Sequence, residues 1–351
     1  MRLAINLALS LGMLALCVWL VWPDAITRAD LRTAIGQLDL AAMAPDLAIY
    51  VGLLVVVQLG RSLRWNYLLS PLGVRVPAAP LLAISAVGFA AIIALPARLG
   101  ELVRPGLLRR RGVSASAALG TVAVERIVDG LLISLFVFAA CFALRGPSAP
   151  RWMMPTAYAA LALFTSALVF LIFARRWPQR TVHVALTVSL LPRIAPRLAG
   201  VIETKLLAMI RGFDVLADRK NLVAFVAWSI IYWGANGAGV WVLARAFGLP
   251  LSPVGAYAVM GLIAVGITLP NSPGNLGQFQ AFMLLGLTLY LGPDADSPHT
   301  ALYATTFAFA NCHYVLQVGW YIVCGALGLA SPWVSFAELR AAQKTGDAAA
   351  I

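Results

Sequence analysis

The run Val124-Glu125-Arg126-Ile127-Val128-Asp129 sets three ionisable side chains inside an apolar segment covering 117–144. At about 100° per residue, Glu125, Arg126 and Asp129 fall on one arc roughly 100° wide, so all three can share a helix face. A buried charge is costly unless it is paired, and ionisable residues inside a membrane mark a substrate or ion path, or lock helices together. Two carboxylates with one arginine leave a negative excess that invites another cation. Arg98 and Arg104, just upstream, are the candidates.

A second signal is a pair of breaks in apolar runs. Leu95-Pro96-Ala97-Arg98-Leu99-Gly100-Glu101 closes a run that follows Pro80, and Leu269-Pro270-Asn271-Ser272-Pro273-Gly274-Asn275 closes one that follows Pro253. Proline removes a backbone donor and glycine frees the chain, so each Leu-Pro-x-x-x-Gly should interrupt a helix. Interrupted backbone survives at membrane depth only inside protein or beside a polar cavity, and paired breaks in two halves point to a transporter's binding site. The first break is cationic, with Arg98, Glu101 and Arg104. The second is neutral and hydrogen-bonding, with Asn271, Ser272, Asn275 and Gln278. Those four could receive a polar head group or merely satisfy the opened backbone.

Composition fixes the class of protein that must position these residues. Hydrophobic residues make up 61% and charged residues 11%, with a mean hydropathy of +0.87, which no soluble domain carries. The net charge of +12 is confined to segments between apolar runs, the pattern of loops facing anionic lipid, so nucleic-acid binding is not expected. Cys17, Cys141, Cys312 and Cys324 lie in apolar runs without metal-ligand spacing and read as core fillers.

The apolar runs predict an all-α polytopic membrane domain over 1–351, with about six full spans and two re-entrant helical hairpins. The spans are Leu3 to Trp22, read as a retained helix and not a signal peptide, then 44–62, 117–144, 155–174, 221–247 and 300–330. The hairpins are 81–112 and 253–292. Loop charge sets their sides. Arg61, Arg64 and Arg75 precede the run 81–95, and Arg98, Arg104, Arg109, Arg110 and Arg111 follow it, so a hairpin that enters and leaves on the cytoplasmic side keeps both segments inside. Segment 175–220 carries nine Lys/Arg and reads as a cytoplasmic connector, while no Lys or Arg occurs from 246 to 339 and the second hairpin enters from outside. Both termini are then cytoplasmic. Within the connector, Leu198, Val201, Ile202, Leu206, Met209, Ile210 and Phe213 recur at helical spacing beside Arg197, Lys205 and Arg211. That pattern fits a helix on the inner leaflet or one packed on membrane helices.

The segments leading into the hairpins also match: Trp65 to Pro77 resembles Trp241 to Leu251. With opposed orientation this reads as an inverted repeat, 44–144 and 221–330. Asn311 and His313 then stand where the repeat places Glu125 and Asp129, and a lone histidine there reads first as a packed hydrogen bonder.

Taken in order, Pro96-x-x-x-Gly100-Glu101-x-x-Arg104, Glu125-Arg126-x-x-Asp129 and Pro270-Asn271-x-Pro273-Gly274-Asn275-x-Gly277 resemble the lysylphosphatidylglycerol synthetase transmembrane family. The resemblance covers nearly the whole chain. It implies a bundle with two re-entrant regions that moves lipids between leaflets, with Glu101, Arg104, Glu125, Arg126 and Asp129 lining the path. Only Ser331 to Ile351 follow the last run, so no soluble aminoacyltransferase domain is expected.

The expected function is therefore a lipid flippase of the bacterial cytoplasmic membrane, acting on an anionic or polar-headed phospho- or polyprenyl-type lipid. Arg98, Arg104 and Arg126 would meet the head group. No cofactor, metal or catalytic residue is expected, and the partners are membrane lipids, a possible lipid-biosynthesis enzyme and a possible second copy. Two alternatives stay open. A membrane-embedded lipid-modifying enzyme would need a nucleophile, base or metal set, yet His183, His299 and His313 are scattered. A non-transporting scaffold would tolerate neutralisation of 125–129.

Overall fold

The computed structural model describes residues 36, 38–94, 100–143, 153–267, 273–295, 297 and 300–335. The expected span Leu3–Trp22 and the residues Arg98, Asn271 and Ser272 lie outside them. Among the described residues the ordered elements are all helical. In chain order they are α1 (Leu40–Leu63), α2 (Trp65–Leu69), α3 (Ala78–Ala94), α4 (Val103–Leu107), α5 (Ala115–Ala143), α6 (Met153–Arg176), α7 (Pro178–Val188), α8 (Leu191–Ile194), α9 (Pro196–Arg211), α10 (Arg219–Ala246), α11 (Pro253–Gly266), α12 (Gln278–Leu291) and α13 (Ala301–Ala330).

Local chemistry explains where several of these helices begin. Asp39 accepts hydrogen bonds from the Ala41 and Ala42 amides, Asp218 from Asn221, Ser252 from Gly255 and Thr300 from Tyr303, so four starts carry a side-chain N-cap. At Ser252 the next residue is Pro253, whose fixed φ suits a first helical position. The hydrogen bonds from the backbone and side chain of Asn221 hold the Asp218 carboxyl below its ordinary range.

Among the described residues, four helices are long and apolar enough to cross a membrane: Leu40–Leu72, Met154–Arg176, Arg219–Ala246 and Ala301–Ala330. Helix α5 is equally long but carries Glu125, Arg126 and Asp129. Their outer faces expose Val55 and Val56 on α1, Phe170 and Phe173 on α6, and Ile322 and Leu327 on α13, the surface that lipid would cover.

Each proline-broken segment folds back on itself. In the first, a Cβ placed on Gly100 would stand 2.3 Å from the Ala91 carbonyl, so the returning chain rests directly on the backbone of α3 and no larger residue fits. Arg104, one turn on, lies against Gly88. In the second, Gln278 at the start of α12 donates to the Gly266 carbonyl at the end of α11 at 2.9 Å. The two bends approach one another, with Gly274 packed near Ile93 of α3.

The helix packing has an internal correspondence. Helices α1 and α10 pack together and run antiparallel, with Tyr50 against Gly239 and Gly60 against Tyr232. Helix α3 packs on α13 and α11 packs on α5, while α1 packs on α3 and α10 on α11. Exchanging α1 with α10, α3 with α11 and α5 with α13 maps these pairs onto themselves. The connector α7–α9 buries Val182, Leu186, Ala199 and Ile210 against α5 and α6 and leaves Val184, Val188, Ile194 and Val201 exposed.

Gly100→Ala should destabilise the protein by about 1–3 kcal/mol, because the added methyl overpacks against backbone that cannot rotate away. A lower thermal midpoint in detergent checks this, and an unchanged midpoint would contradict the return against α3.

Candidate functional site

Arg64 is the centre of the site, and the sequence reading had assigned it to a cytoplasmic loop. Helix α1 does not end in a head-group anchor. Arg64 continues directly into α2, is 1% exposed, and reaches inward to α5 and α10. Its Nη1 and Nη2 donate to the two oxygens of Asp129 at 2.5 and 2.6 Å, Nη2 donates to Glu125 Oε1 at 3.0 Å, and Nη1 donates to Ser229 Oγ at 2.8 Å. The fork of a guanidinium matches a carboxylate in this bidentate way, which a lysine could not reproduce. Trp233 Nε1 donates to Asp129 Oδ1 at 3.0 Å. The Asp129 carboxylate is thus held by Arg64 and the Trp233 indole.

The other side of the cluster is less complete. Arg104, 1% exposed, is carried inward by the short helix α4 as the hairpin returns along α3. Its guanidinium lies over the Trp65 ring at 4.1 Å and the Phe89 ring at 4.6 Å. Its Nη1 donates to Glu125 Oε2 at 3.2 Å, while Nε and Nη2 are buried without a partner among the described residues. Trp65 is itself fixed by donating to Thr121 at 3.0 Å. Arg61 joins from one turn earlier on α1, stacked 3.6 Å over Phe89 and donating to the Tyr321 hydroxyl at 3.4 Å. Arg64 and Arg104 pair with Glu125 and Asp129, and Arg61 adds a third cation beside them through the Phe89 ring it shares with Arg104, three cations against two anions. The expected negative excess is reversed to a positive one.

Several expected site residues are placed differently. Glu125 and Asp129 do share a buried face, and Arg104 does supply a cation. Arg126 does not belong to that face: a quarter turn away, it pairs with Glu101 at 3.4 Å and is 39% exposed. Glu101 and Arg126 form a half-buried pair at the margin of the cluster, and solvent screening leaves such pairs little energy. Gln278 turns to the Gly266 backbone, the backbone-satisfying role. Asn275 adopts a left-handed φ of 60° at the second bend. Tyr314 donates to the Gly274 carbonyl at 3.0 Å and steadies that bend.

Sequence reasoning missed Arg61 and Arg64 because arginines at the end of an apolar helix look like head-group anchors. One signal was available. Two buried carboxylates demand more cation than Arg126 alone, and Arg61 and Arg64 stand on one face with Trp65 directly after them.

The second half repeats the arrangement without charge. Asn311 in the helix beginning at Ala301 holds the place that Glu125 holds in the helix beginning at Ala115. Gln280 from the returning arm of the second hairpin donates to Asn311 Oδ1 at 3.3 Å, as Arg104 from the first returning arm donates to Glu125. Gln280 also accepts from the Gly277 amide at 2.8 Å, closing the cap of α12. His313 is buried among the rings of Tyr50, Phe279 and Phe309, at 5.5–6.0 Å between centroids. No group of three or more His, Cys, Asp or Glu residues suited to a metal ion occurs among the described residues.

Comparison with known proteins gives one family match. A family model described as the lysylphosphatidylglycerol synthase TM region matches residues 3–320. No curated protein and no solved structure matches.

Arg64→Ala should destabilise the protein by about 3–5 kcal/mol, since it leaves the buried Asp129 carboxylate without a cation and removes one of Glu125's two arginines. Arg126→Ala, at a half-exposed pair, should cost at most about 1 kcal/mol. Thermal unfolding of both variants in detergent separates them, and equal effects would place the cluster's centre elsewhere.

Proposed function

The chain belongs to the lysylphosphatidylglycerol synthase transmembrane family, and from that premise we propose that it is a flippase for lipids with an anionic or polar head group. The observation that carries this reading is Arg104. A fully buried guanidinium with two unpartnered donors, in a cluster with one positive charge in excess, is unfavourable unless something else supplies acceptor oxygens. The phosphate of a lipid head group has that chemistry, and the stacking of Arg104 between Trp65 and Phe89 fixes the plane in which it would be met.

The division of labour follows from geometry. Arg64 and Asp129 hold α1, α5 and α10 together. Glu125 bridges Arg64 and Arg104, and keeps the second guanidinium in place while no head group is bound. A phosphate would compete with Glu125 for Arg104 and draw on the free donors. The neutral Gln280–Asn311 pair in the other half would receive the head group without holding it, which favours release. Acyl or prenyl chains would remain against the exposed apolar faces of α1, α6 and α13. The exchange symmetry of the packing supports an inverted repeat whose halves rock to expose the site alternately. In this reading the two hairpins are re-entrant from opposite faces.

A lysyl-transfer reaction is not part of the proposal. The described residues offer no nucleophile–base pair at the cluster, and each carboxylate there is already held by an arginine.

Reconstitution tests the reading. In proteoliposomes carrying a fluorescent anionic phospholipid, the protein should bring inner-leaflet lipid into reach of an external quencher. Arg104→Gln and Glu125→Gln should slow that exchange by roughly tenfold or more, the size expected for losing one charge-assisted hydrogen bond. Gly88→Val should act in the same direction without changing any charge, because a Cβ there would sit 2.1 Å from Arg104 Cγ. Exchange no faster than in protein-free vesicles would overturn the flippase reading.

A further inference from the structure

A line of buried polar atoms without partners runs between α1 and α13, away from the arginine cluster. The two helices meet side chain to side chain at two levels: Arg61 donates to Tyr321, and the rings of Tyr50 and His313 stand 5.6 Å apart. Along the chain Gln58 on α1 falls between these levels, its Nε2 donating to Ser62 on the same helix at 3.4 Å, and Trp320 on α13 stands two turns from His313, next to Tyr321. The Tyr50 hydroxyl, Gln58 Oε1, His313 Nδ1 and Trp320 Nε1 are all buried with no partner among the described residues. Tyr50, Gln58 and His313 are 2%, 7% and 4% exposed, so bulk solvent does not serve them.

Buried polar atoms are almost always paired, and each exception carries a penalty. Four on these two helices, one of them able only to donate (the indole N–H) and one able to do both (the tyrosine hydroxyl), are not a packing accident in helices otherwise rich in apolar choices. Water, or a polar part of a ligand, has both the donors and the acceptors to satisfy them. The seam is also continuous with both candidate half-sites. At one end Arg61 shares the Phe89 ring with Arg104. At the other, His313 packs on Phe279 of α12, one residue from Gln280 and its partner Asn311.

We propose that the seam between α1 and α13 is a hydrated track that takes the uncharged, hydroxyl-bearing part of a lipid head group between the arginine cluster and the second hairpin. The head-group assignment rests on the flippase reading. The hydration does not. The track carries no full charge past Arg61, so it suits alcohol groups, which donate and accept together, and not the phosphate itself, which the arginines hold. Gln58 and His313 are the residues that set this preference, since both can accept from a hydroxyl while Tyr50 and Trp320 donate to one.

Two measurements test it. Hydroxyl-radical footprinting of the intact protein in lipid nanodiscs reads water directly. Normalised to the unfolded chain, Tyr50 and His313 should label about tenfold more than Phe213 and Met283, which are equally buried but lie within apolar clusters. Labelling no greater than at Phe213 and Met283 overturns the hydrated track. The second measurement is lipid exchange by Gln58→Leu and His313→Phe. His313→Phe removes an unpaired polar atom, so its thermal midpoint should hold or rise; Gln58→Leu removes one unpaired atom together with a long bond to Ser62, so its midpoint should change little, and in both exchange should fall roughly tenfold. His313→Asn, which keeps a hydrogen-bonding side chain, should retain more activity than His313→Phe. Exchange within twofold of the unsubstituted protein for both apolar variants overturns the track as a route. If the unsubstituted protein moves no lipid, the flippase reading falls and takes the head group with it, and footprinting alone then decides whether the seam holds water.

Discussion

The buried fork between Arg64 and Asp129 is the interaction on which the rest of this bundle depends. It joins the end of α1 to the middle of α5, and through Ser229 and Trp233 it also ties in α10. These helices come from both halves of the chain. An ion pair of this kind contributes little net stability over a well-packed apolar contact, but breaking it on one side is severe. Its value lies in specification. With Asp129 fixed, Glu125 is held one turn away on the same face, and the position of Arg104 follows.

Lock and binding site are usually offered as alternatives for charges inside a membrane, and under the proposed function they would occupy opposite ends of one cluster. Asp129 accepts from a bidentate guanidinium and an indole, and has no further role to fill. Glu125 accepts from two different arginines, one of which keeps two donors free. That gradient from saturated to unsaturated hydrogen bonding gives the cluster a direction, from a structural end near α10 to an open end beneath the first hairpin. A substrate that engages the open end competes with Glu125 without disturbing Asp129, so the helices stay joined while the site changes occupancy.

Much of this architecture was legible in the sequence. The apolar runs located the helices to within a few residues: 44–62 against Leu40–Leu63, 155–174 against Met153–Arg176, 300–330 against Ala301–Ala330. The breaks around Pro96–Gly100 and Pro270–Gly274 were legible as places where a helix ends, and the described residues on either side of each pack back on one another. The pairing of charges was less legible, since it depends on the angle between elements distant in sequence. An arc of about 100° was wide enough to keep Arg126 on the face of Glu125, yet a quarter turn sufficed to send it to Glu101 instead. Arg61 and Arg64 were hidden by position: at the end of an apolar helix, an arginine bound for a head group and one bound for a buried carboxylate have the same neighbours in sequence. Loop-charge counting therefore took Arg61 and Arg64 as surface charge, when they are turned into the protein.

The two halves of the chain share one geometry and differ in chemistry at the equivalent position. Arg104 and Gln280 both come from the returning arm of a hairpin, and both donate to a side chain at the same place on the following long helix, Glu125 or Asn311. If both pairs were ionic, a captured anion would face similar wells at either end and a cost in leaving each. If both were amide pairs, nothing would draw a charged group away from water. Under the proposed flippase function, charge in one half and amide in the other would make one end the holding site and the other a station that a polar group passes through. If the seam along α1 and α13 is hydrated as proposed, it would join these unlike ends, and the asymmetry in side chains would act along a path between two similarly built halves.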